Sequence, residues 1–392
     1  MTPRPTHFPG LDGLRGIAIL AVIGHNLQLM ESPDTLIGRA IEFGLDRGWI
    51  GVQLFFVLSG FLITGILLDS QRTSNYYQSF FTRRALRIFP IYYLSLVVLF
   101  LVLPAAGVID PAHRPTPAQQ LPFWLYISNW TQPYGFNAGY VAHFWSLAVE
   151  EQFYLLWPFL LYRRSPSAAL RVCIGVAVAA LVARLTLMHF GVSPQAVYMF
   201  SICRMDALAL GGALAAALRV PRMADWMVPR SGAMLLLALT FVGIGAAVTR
   251  GYPRLSPLDE SVGYTILSIS MTLFVAASVT ADTAGDNRGF AWLRAAPLRT
   301  IGKYSYAMYI FHRPLNDLLG VPYLVPNLPH VGTSVLSTAL YLTCATLVSL
   351  ALAMLSYRYV ERPFLRLKKR FAPRPEELHG TSLDPSLTAL GR

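Results

Sequence analysis

Long apolar runs dominate the hydropathy pattern of this chain. Ten of them approach the roughly 20 residues that a helix needs to cross the hydrocarbon core of a bilayer. They lie at about 12–30, 49–68, 86–104, 144–162, 168–189, 198–217, 231–249, 261–281, 303–319 and 334–357. The pattern therefore predicts an all-α, polytopic membrane protein with about ten transmembrane helices.

Basic residues are divided unequally between the two sides of this predicted bundle. If the N-terminus is cytoplasmic, the cytoplasmic segments up to residue 374 hold 22 Lys and Arg residues, and the outer segments hold five. Short cytoplasmic loops of membrane proteins are rich in Lys and Arg. Both termini are therefore expected in the cytoplasm. The longest outer segment, 105–143, is rich in Pro and Trp, and we expect it to lie folded on the membrane surface.

Composition supports a membrane protein and excludes other classes. Of the 392 residues, 54% are hydrophobic and 13% are charged, against about 25% charged in soluble domains. A net charge of +12 would indicate nucleic-acid binding in a soluble protein, but here the basic residues lie between apolar runs. The expected partner is the lipid bilayer and not nucleic acid. The three cysteines form no CxxC motif, so the sequence does not indicate a zinc site. We expect one membrane domain over 1–370 and a polar, disordered cytoplasmic tail over 371–392.

The first span carries two ionisable residues, which are costly in a membrane unless paired or hydrated. Arg15 lies near the predicted inner end, and His25 follows about 15 Å further out along the helix. Arg15 is either an anchor whose charge reaches the interface or a cation for an anionic ligand. His25 is either a hydrogen-bonded packing residue or a base on the outer side.

Two arginines follow the second span. Arg84 and Arg87 are three residues apart and therefore share a helix face. A pair of guanidinium groups suits a phosphate, although ordinary anchoring at the cytoplasmic surface explains the same spacing. Pro90 predicts a kink or the start of the helix.

The fourth run contains adjacent glutamates. Glu150 and Glu151 point about 100° apart on a helix, so only one is expected to face the centre of the bundle. His143 and Glu150 should fall on one face, two turns apart. They form either a structural polar network or a pair for proton transfer.

Other polar residues favour structural interpretations. Ser59 with Gly60 predicts close helix packing or a ligand hydrogen bond. Tyr309 and His312 share a face, in the core or at a site. Ion pairs between helices are expected for the charges of the fifth and sixth spans, Arg184, Arg204 and Asp206.

Taken in order, several segments resemble acyltransferase family 3, whose membrane proteins O-acylate carbohydrates and some macrolides. The matching segments are LDGLRGIAIL with His25, FFVLSGFLIT, RRALRIFP, HFWSLAVEEQFYLLWP, KYSYAMYIFHRPL and YRYVERPF. They extend from Leu11 to Phe364, about nine-tenths of the chain. One motif alone would be weak, but six in order are specific.

The resemblance implies transfer of an acyl group, commonly acetyl, from cytoplasmic acyl-CoA to a hydroxyl of a carbohydrate or macrolide on the other side. It also implies roles by motif. The family's first-span Arg and His have ten intervening residues, whereas Arg15 and His25 have nine. This turns His25 by about 80° and puts Asn26 at the expected position. The RxxR motif is Arg84 and Arg87, and the WSLxxE segment contributes Trp145, Ser146 and Glu150.

These considerations give a set of expected roles. His25 is the general base, and Glu150, with His143, orients the base or the acceptor. The phosphates of acyl-CoA, which is the co-substrate, are held by the arginines Arg15, Arg83, Arg84 and Arg87. Substrate-binding or structural roles fall to Asn26, Ser59, Trp145, Ser146, Tyr309 and His312.

No metal is required, since no HExxH-type spacing occurs. The expected location is the bacterial inner (plasma) membrane. Direct transfer is the first expectation, and an acyl-histidine relay is the second. A proton-coupled secondary transporter is the main alternative function, and a non-catalytic membrane scaffold is a third. The acceptor, the acyl length and the oligomeric state stay open.

Overall fold

The structure is a computed structural model that describes residues 8–27, 35–109, 111, 114–136, 138–285, 289–325 and 334–374. Within these residues all regular structure is helical and no strand occurs, as the sequence predicts. Short 3-10 and π turns join or extend the helices. The α-helices are α1 Pro9–Leu27, α2 Leu36–Asp46, α3 Ile50–Asp69, α4 Tyr76–Val97, α5 Leu103–Ala105, α6 Pro117–Trp124, α7 Ser128–Thr131, α8 Trp145–Leu161, α9 Pro166–His189, α10 Pro194–Met199, α11 Ser201–Ala217, α12 Pro221–Met227, α13 Ser231–Thr249, α14 Tyr264–Ala284, α15 Ala296–Leu315, α16 Val335–Ser356 and α17 Arg362–Leu367.

Seven helical segments of the described chain are long and apolar enough to cross a membrane, so this is a multi-pass membrane protein. They are Leu36–Asp69, Tyr76–Ala105, Pro166–His189, Pro194–Ala217, Pro221–Thr249, Asp259–Ala284 and Val335–Phe371. The three other predicted spans are helical too, as α1, α8 and α15. These three carry the arginine, glutamates and histidines that the sequence singled out, which lowers their apolar content. The number ten remains a prediction.

Small residues allow the central helices to approach closely. Helix α1 packs against α3 and α15, and α11 packs against α3 and α9. A Cβ built on Gly60 of α3 would overlap the backbone carbonyl of Leu208 in α11. The close packing predicted for the Ser59–Gly60 pair is therefore present.

A fully buried ion pair joins α9 to α11. The Arg184 guanidinium lies 3.0 Å from the Asp206 carboxylate, and both side chains have no exposed surface. This confirms the predicted pairing between helices for these two residues. Arg204 differs: it donates to the Gln53 side chain, and its Nε and Nη1 have no hydrogen-bond partner within the described chain.

The segment around the RxxR motif differs from the expected boundary. Helix α4 begins at Tyr76, so Arg84 lies more than two turns inside it and not at its start. Pro90 is also in the helix interior, where it removes one backbone hydrogen bond without ending the helix. The aromatic and hydroxyl residues before the motif extend the helix beyond the apolar run.

Two segments outside the predicted spans, 105–143 and the beginning of the predicted tail, are tied to α4. Tyr92 donates to the Phe123 carbonyl at 2.8 Å, which holds the 105–143 segment against the bundle. Ser79 donates to the Phe371 carbonyl, and the Arg374 amide donates to the Asn75 side chain, both at 2.9 Å. Regular contacts thus continue four residues into the predicted tail. The rest of that tail, 375–392, lies outside the described residues.

Candidate active site

A cavity opens where five helices meet, and we call it the arginine cavity. Arg15 of α1 and Arg84 and Arg87 of α4 line it, facing Glu150 and Glu151 of α8. Its atom-free space is about 790 Å³, open solvent included. Three guanidinium groups and two carboxylates in one cleft are typical of a functional site more than of a packed core.

A hydrogen-bond network orients Glu150 inside this cavity. Ser59 Oγ donates to Glu150 Oε1 at 3.1 Å, and the Tyr154 hydroxyl donates to Oε2 at 2.7 Å. Tyr154 is one helical turn beyond Glu150, so both side chains lie on the same face of α8. Both carboxylate oxygens of Glu150 therefore have a hydroxyl donor, which fixes the group in one orientation.

The arginines retain donors for a ligand. The Arg84 guanidinium carbon lies 4.1 Å from the centroid of the Tyr154 ring, within cation–π distance. Arg84 Nε is buried and has no hydrogen-bond partner in the part of the chain that the structure describes. A buried donor without a partner is costly, so an anionic ligand here would be favoured.

A second cavity, which we call the histidine cavity, lies at the other end of α1. His25 and Asn26 line it together with His143, Trp145 and Tyr198. Its atom-free space is about 810 Å³, open solvent included. Neither glutamate of α8 lines it, so the two cavities differ in chemistry. The arginine cavity contains guanidinium and carboxylate groups, whereas the histidine cavity contains imidazole, indole and amide groups and two arginines.

Backbone carbonyls fix the tautomers of the histidines. His25 Nδ1 lies 3.3 Å from the Leu45 carbonyl, and His143 Nε2 lies 2.9 Å from the Tyr309 carbonyl. A carbonyl only accepts, so in the neutral ring each of these nitrogens carries the proton. The lone pair is then on Nε2 of His25 and on Nδ1 of His143. Both histidines lining the cavity are therefore set up as proton acceptors.

The two cavities meet at Val52 and Tyr309, which line both. The Tyr309 hydroxyl lies 2.5 Å from Ser146 Oγ and donates to the His143 carbonyl at 3.0 Å. These bonds tie α15 to the start of α8 at the boundary. Val52 and Tyr309 therefore mark the boundary between the two cavities.

The predicted site residues separate into two groups. The arginine cavity contains Arg15, Ser59, Arg84, Arg87, Ser146 and Glu150. The histidine cavity contains His25, Asn26, His143 and Trp145, and Tyr309 borders both.

Two predicted residues line neither cavity. Arg83 is absent from the linings of both cavities. His312 packs against His143 with ring centroids 4.8 Å apart.

Two predictions about α8 need correction. His143 belongs to the 3-10 turn Gly139–Phe144 and not to the helix, so the helical face predicted for it and Glu150 does not extend to it. The two residues line different cavities. In addition, Glu150 and Glu151 both line the arginine cavity, so the part of α8 that borders the cavity is wider than one helix face.

Sequence reasoning missed several residues of the two cavities. Tyr154 was detectable as the residue one turn after Glu150. Gln132 and Arg254 of the histidine cavity come from connecting segments, whose position no periodicity reveals. Among the described residues, no group of three or more His, Cys, Asp or Glu side chains is arranged to hold a metal ion.

Comparison with known proteins identifies relatives over most of the chain. It is 29% identical to the peptidoglycan O-acetyltransferase OatA of Listeria monocytogenes over 91% of this chain and 56% of that protein. It is 29% identical to the O-acetyltransferase OatA of Staphylococcus aureus, over 95% and 60%. The putative peptidoglycan O-acetyltransferase YrhL of Bacillus subtilis is 28% identical, over 92% and 55%.

The chain thus spans a little over half the length of these curated relatives. No solved structure matches it. The family model of the acyltransferase domain matches residues 8–358, and the chain belongs to acyltransferase family 3.

Proposed function

We propose that this protein is a membrane O-acyltransferase that moves an acetyl group from acetyl-CoA to a hydroxyl of a cell-envelope carbohydrate. The observation that carries the proposal is the pair of cavities that meet at Val52 and Tyr309. One offers cations for an anionic donor, and the other offers proton acceptors for a hydroxyl. Relatives named peptidoglycan O-acetyltransferases make a glycan acceptor and an acetyl group the first choice.

The arginine cavity is proposed to face the cytoplasm of a bacterial inner membrane, with both chain termini on that side. The excess of Lys and Arg in the segments next to it supports this orientation. Arg15, Arg84 and Arg87 bind the phosphates of the donor, since guanidinium forks match phosphate oxygens. Glu150, held by Ser59 and Tyr154, keeps the arginine side chains apart and in place.

The donor's thioester end must reach the histidine cavity. Arg15 and His25 are ten residues apart on α1, a rise of about 15 Å. The thioester therefore lies between Val52 and Tyr309 when the phosphates are on the arginines. Such an extended arrangement keeps the donor and the acceptor on separate sides of the membrane.

At the junction, His25 Nε2 takes the proton of the acceptor hydroxyl. The hydroxyl oxygen attacks the thioester carbonyl carbon, the carbon–sulfur bond breaks, and the thiolate leaves with the CoA portion. Charge develops on the carbonyl oxygen, and the hydroxyl of Ser146 or Tyr309 stabilises it by turning its proton away from the bond that it makes in this structure. We propose direct transfer, because a residue of this chain is then available for each proton transfer.

The test is ligand-dependent stability of the purified protein in detergent. At one hundred times the dissociation constant, acetyl-CoA should add about 2.7 kcal/mol to the free energy of unfolding. The variant Arg84→Ala/Arg87→Ala should lose this gain. The matched control is Arg366→Ala/Arg370→Ala, which removes the same charge from exposed positions of α17 and of the 3-10 turn that follows it.

Three results are informative. Stabilisation of the wild type and the control, but not of the cavity variant, supports the donor site. Equal stabilisation of all three proteins would retain a CoA site and refute the role of the two arginines. No stabilisation of any protein by acetyl-, propionyl- or succinyl-CoA would refute the proposed donor.

A further inference from the structure

The histidine cavity contains buried polar atoms that lack partners. Trp49 Nε1, Gln132 Oε1 and His143 Nδ1 have no hydrogen bond within the described chain. Their residues are 2%, 7% and 4% exposed, and all three line the cavity. Buried polar groups of native proteins are nearly always hydrogen-bonded, so three unpaired atoms around one space indicate a polar ligand. One donor and two acceptors match a molecule with several hydroxyls.

Aromatic rings form one wall of the same cavity. Trp145 and Tyr198 have ring centroids 4.8 Å apart, and Trp49 lies 6.1 Å from Tyr198. Flat apolar faces beside hydrogen-bonding groups suit a molecule that is itself amphipathic, such as a pyranose ring with its C–H face and its equatorial hydroxyls.

The charge of the cavity lining is positive. Arg254 and Arg313 line it, and among the residues that the structure describes no Asp or Glu does. Arg313 has an acid 3.5 Å away, Asp317, on the next turn. Arg254 has no such ion pair among the described residues, and its guanidinium carbon lies 5.4 Å from the Tyr198 ring centroid.

Arg254 is held in position although it lies on a connecting segment. The Tyr264 hydroxyl of α14 donates to its backbone carbonyl. Arg47 Nε donates to the Gly251 carbonyl at 2.8 Å, which ties the same segment to the turn before α3. The backbone of Arg254 is thus fixed, and its exposed side chain loses less freedom on binding an anion than an arginine on a mobile loop would.

Resting on the proposed function, we infer that the acceptor is an anionic carbohydrate, whose carboxylate or phosphate is bound by Arg254 and whose hydroxyls pair with Trp49, Gln132 and His143. Arg254 and His25 line the same cavity. The anionic group therefore binds in the cavity that contains the proposed base. This arrangement makes Arg254 a specificity-determining residue.

The test measures sugar binding to the full-length protein in nanodiscs, by titration followed with saturation-transfer NMR. The probes are N-acetylmuramic acid and its neutral primary amide, and N-acetylglucosamine 1-phosphate and neutral N-acetylglucosamine. The two pairs distinguish a carboxylate from a phosphate. The variant is Arg254→Gln. The control is Arg250→Gln, which removes the same charge from the same segment at an exposed position outside the cavity lining.

We expect at least one acidic probe to bind about tenfold more tightly than its neutral partner, the usual effect of one charge-assisted hydrogen bond. Arg254→Gln should remove this preference and Arg250→Gln should keep it. Equal binding of acidic and neutral probes, no binding of any probe, or a preference that survives in Arg254→Gln would each overturn the inference.

The acetyl-CoA titration separates this inference from the proposed function. If acetyl-CoA stabilises the protein while the acid preference is absent, only the inference fails. If the acid preference is present and acetyl-CoA does not bind, the proposed donor fails and the anionic sugar site stands. If Arg254→Gln abolishes acetyl-CoA binding and Arg84→Ala/Arg87→Ala does not, the anion in the histidine cavity is the donor, and the inference is refuted.

Discussion

Replacing His25 by Gln tests the proposed base directly. The glutamine amide can still donate to the Leu45 carbonyl, which His25 Nδ1 contacts at 3.3 Å, so the loss in folding free energy should be about 1 kcal/mol or less. The proton acceptor, Nε2, has no counterpart in glutamine. Loss of a general base lowers turnover by about 10²- to 10⁴-fold, or about 2.7 to 5.5 kcal/mol in the activation free energy.

The assay is transfer of radiolabelled acetyl from acetyl-CoA to glycan in proteoliposomes, with kcat and KM measured separately. His25→Gln should lower kcat and leave stabilisation by acetyl-CoA unchanged, because the donor's phosphates bind at the other end of α1. Added imidazole should partly restore turnover in His25→Ala. The control is His189→Gln, an exposed histidine at the end of α9, which should behave as wild type.

His143 provides the result that would refute this reasoning. Its Nδ1 is also a free proton acceptor lining the cavity. As an acceptor-binding group, His143→Gln should raise the KM for glycan more than it lowers kcat. If His25→Gln keeps turnover within tenfold of wild type while His143→Gln loses 10²-fold or more, the base is His143 and the assignment of His25 is wrong.

Three further predictions concern the bundle. Asp206→Asn should cost about 3–5 kcal/mol in unfolding free energy because it leaves the buried Arg184 charge unpaired, whereas Arg184→Met/Asp206→Leu should recover most of it in a double-mutant cycle. Gly60→Ala should destabilise by about 1–3 kcal/mol, because the new methyl group meets the rigid Leu208 backbone; Gly243→Ala, with open space around it, should be neutral or stabilising in the same denaturation assay. Tyr309→Phe removes hydrogen bonds of 2.5 and 3.0 Å, and should cost about 1–3 kcal/mol and slow acetyl transfer without weakening acetyl-CoA binding.

The helical architecture was predictable because a long apolar segment that spans a membrane must satisfy its backbone hydrogen bonds internally, as a helix does. The predicted segments 49–68, 231–249 and 334–357 agree with α3, α13 and α16 within two residues. The start of α4 was wrong by ten residues, since its first turns carry Tyr, Phe, Ser and Arg and are not apolar. Hydropathy locates the part of a helix that contacts lipid or core, and it does not locate the extension beyond it.

The candidate site was predictable by residue type and only in part by arrangement. The cost of ionisable residues in apolar runs singled out Arg15, His25 and Glu150, and each lines one of the two cavities, while their roles stay predictions. The prediction that His143 and Glu150 share one helix face failed because the chain changes from a 3-10 turn to an α-helix at Trp145, which alters the angular step between residues. The local sequence carries no clear signal of that change.

The geometry of α1 explains how the first span tolerates a spacing between Arg15 and His25 that is one residue shorter than in the family. Helix α1 is continuous from Pro9 to Leu27, so no bulge rotates His25 back to the position that the family spacing would give it. Both His25 and Asn26 nevertheless line the cavity, together with Val22, one turn earlier on the same side of the helix. Asn26 Nδ2 donates to the Val22 carbonyl at 3.1 Å, so its side chain turns back along its own helix. His25, whose Nδ1 contacts the segment before α3, keeps Nε2 for the cavity. The cavity is wide enough to include two successive residues of α1, so it accommodates a shift of one position. The hydrogen bonds that His25 and Asn26 make to backbone carbonyls then decide which of the two side chains is free to act as the base.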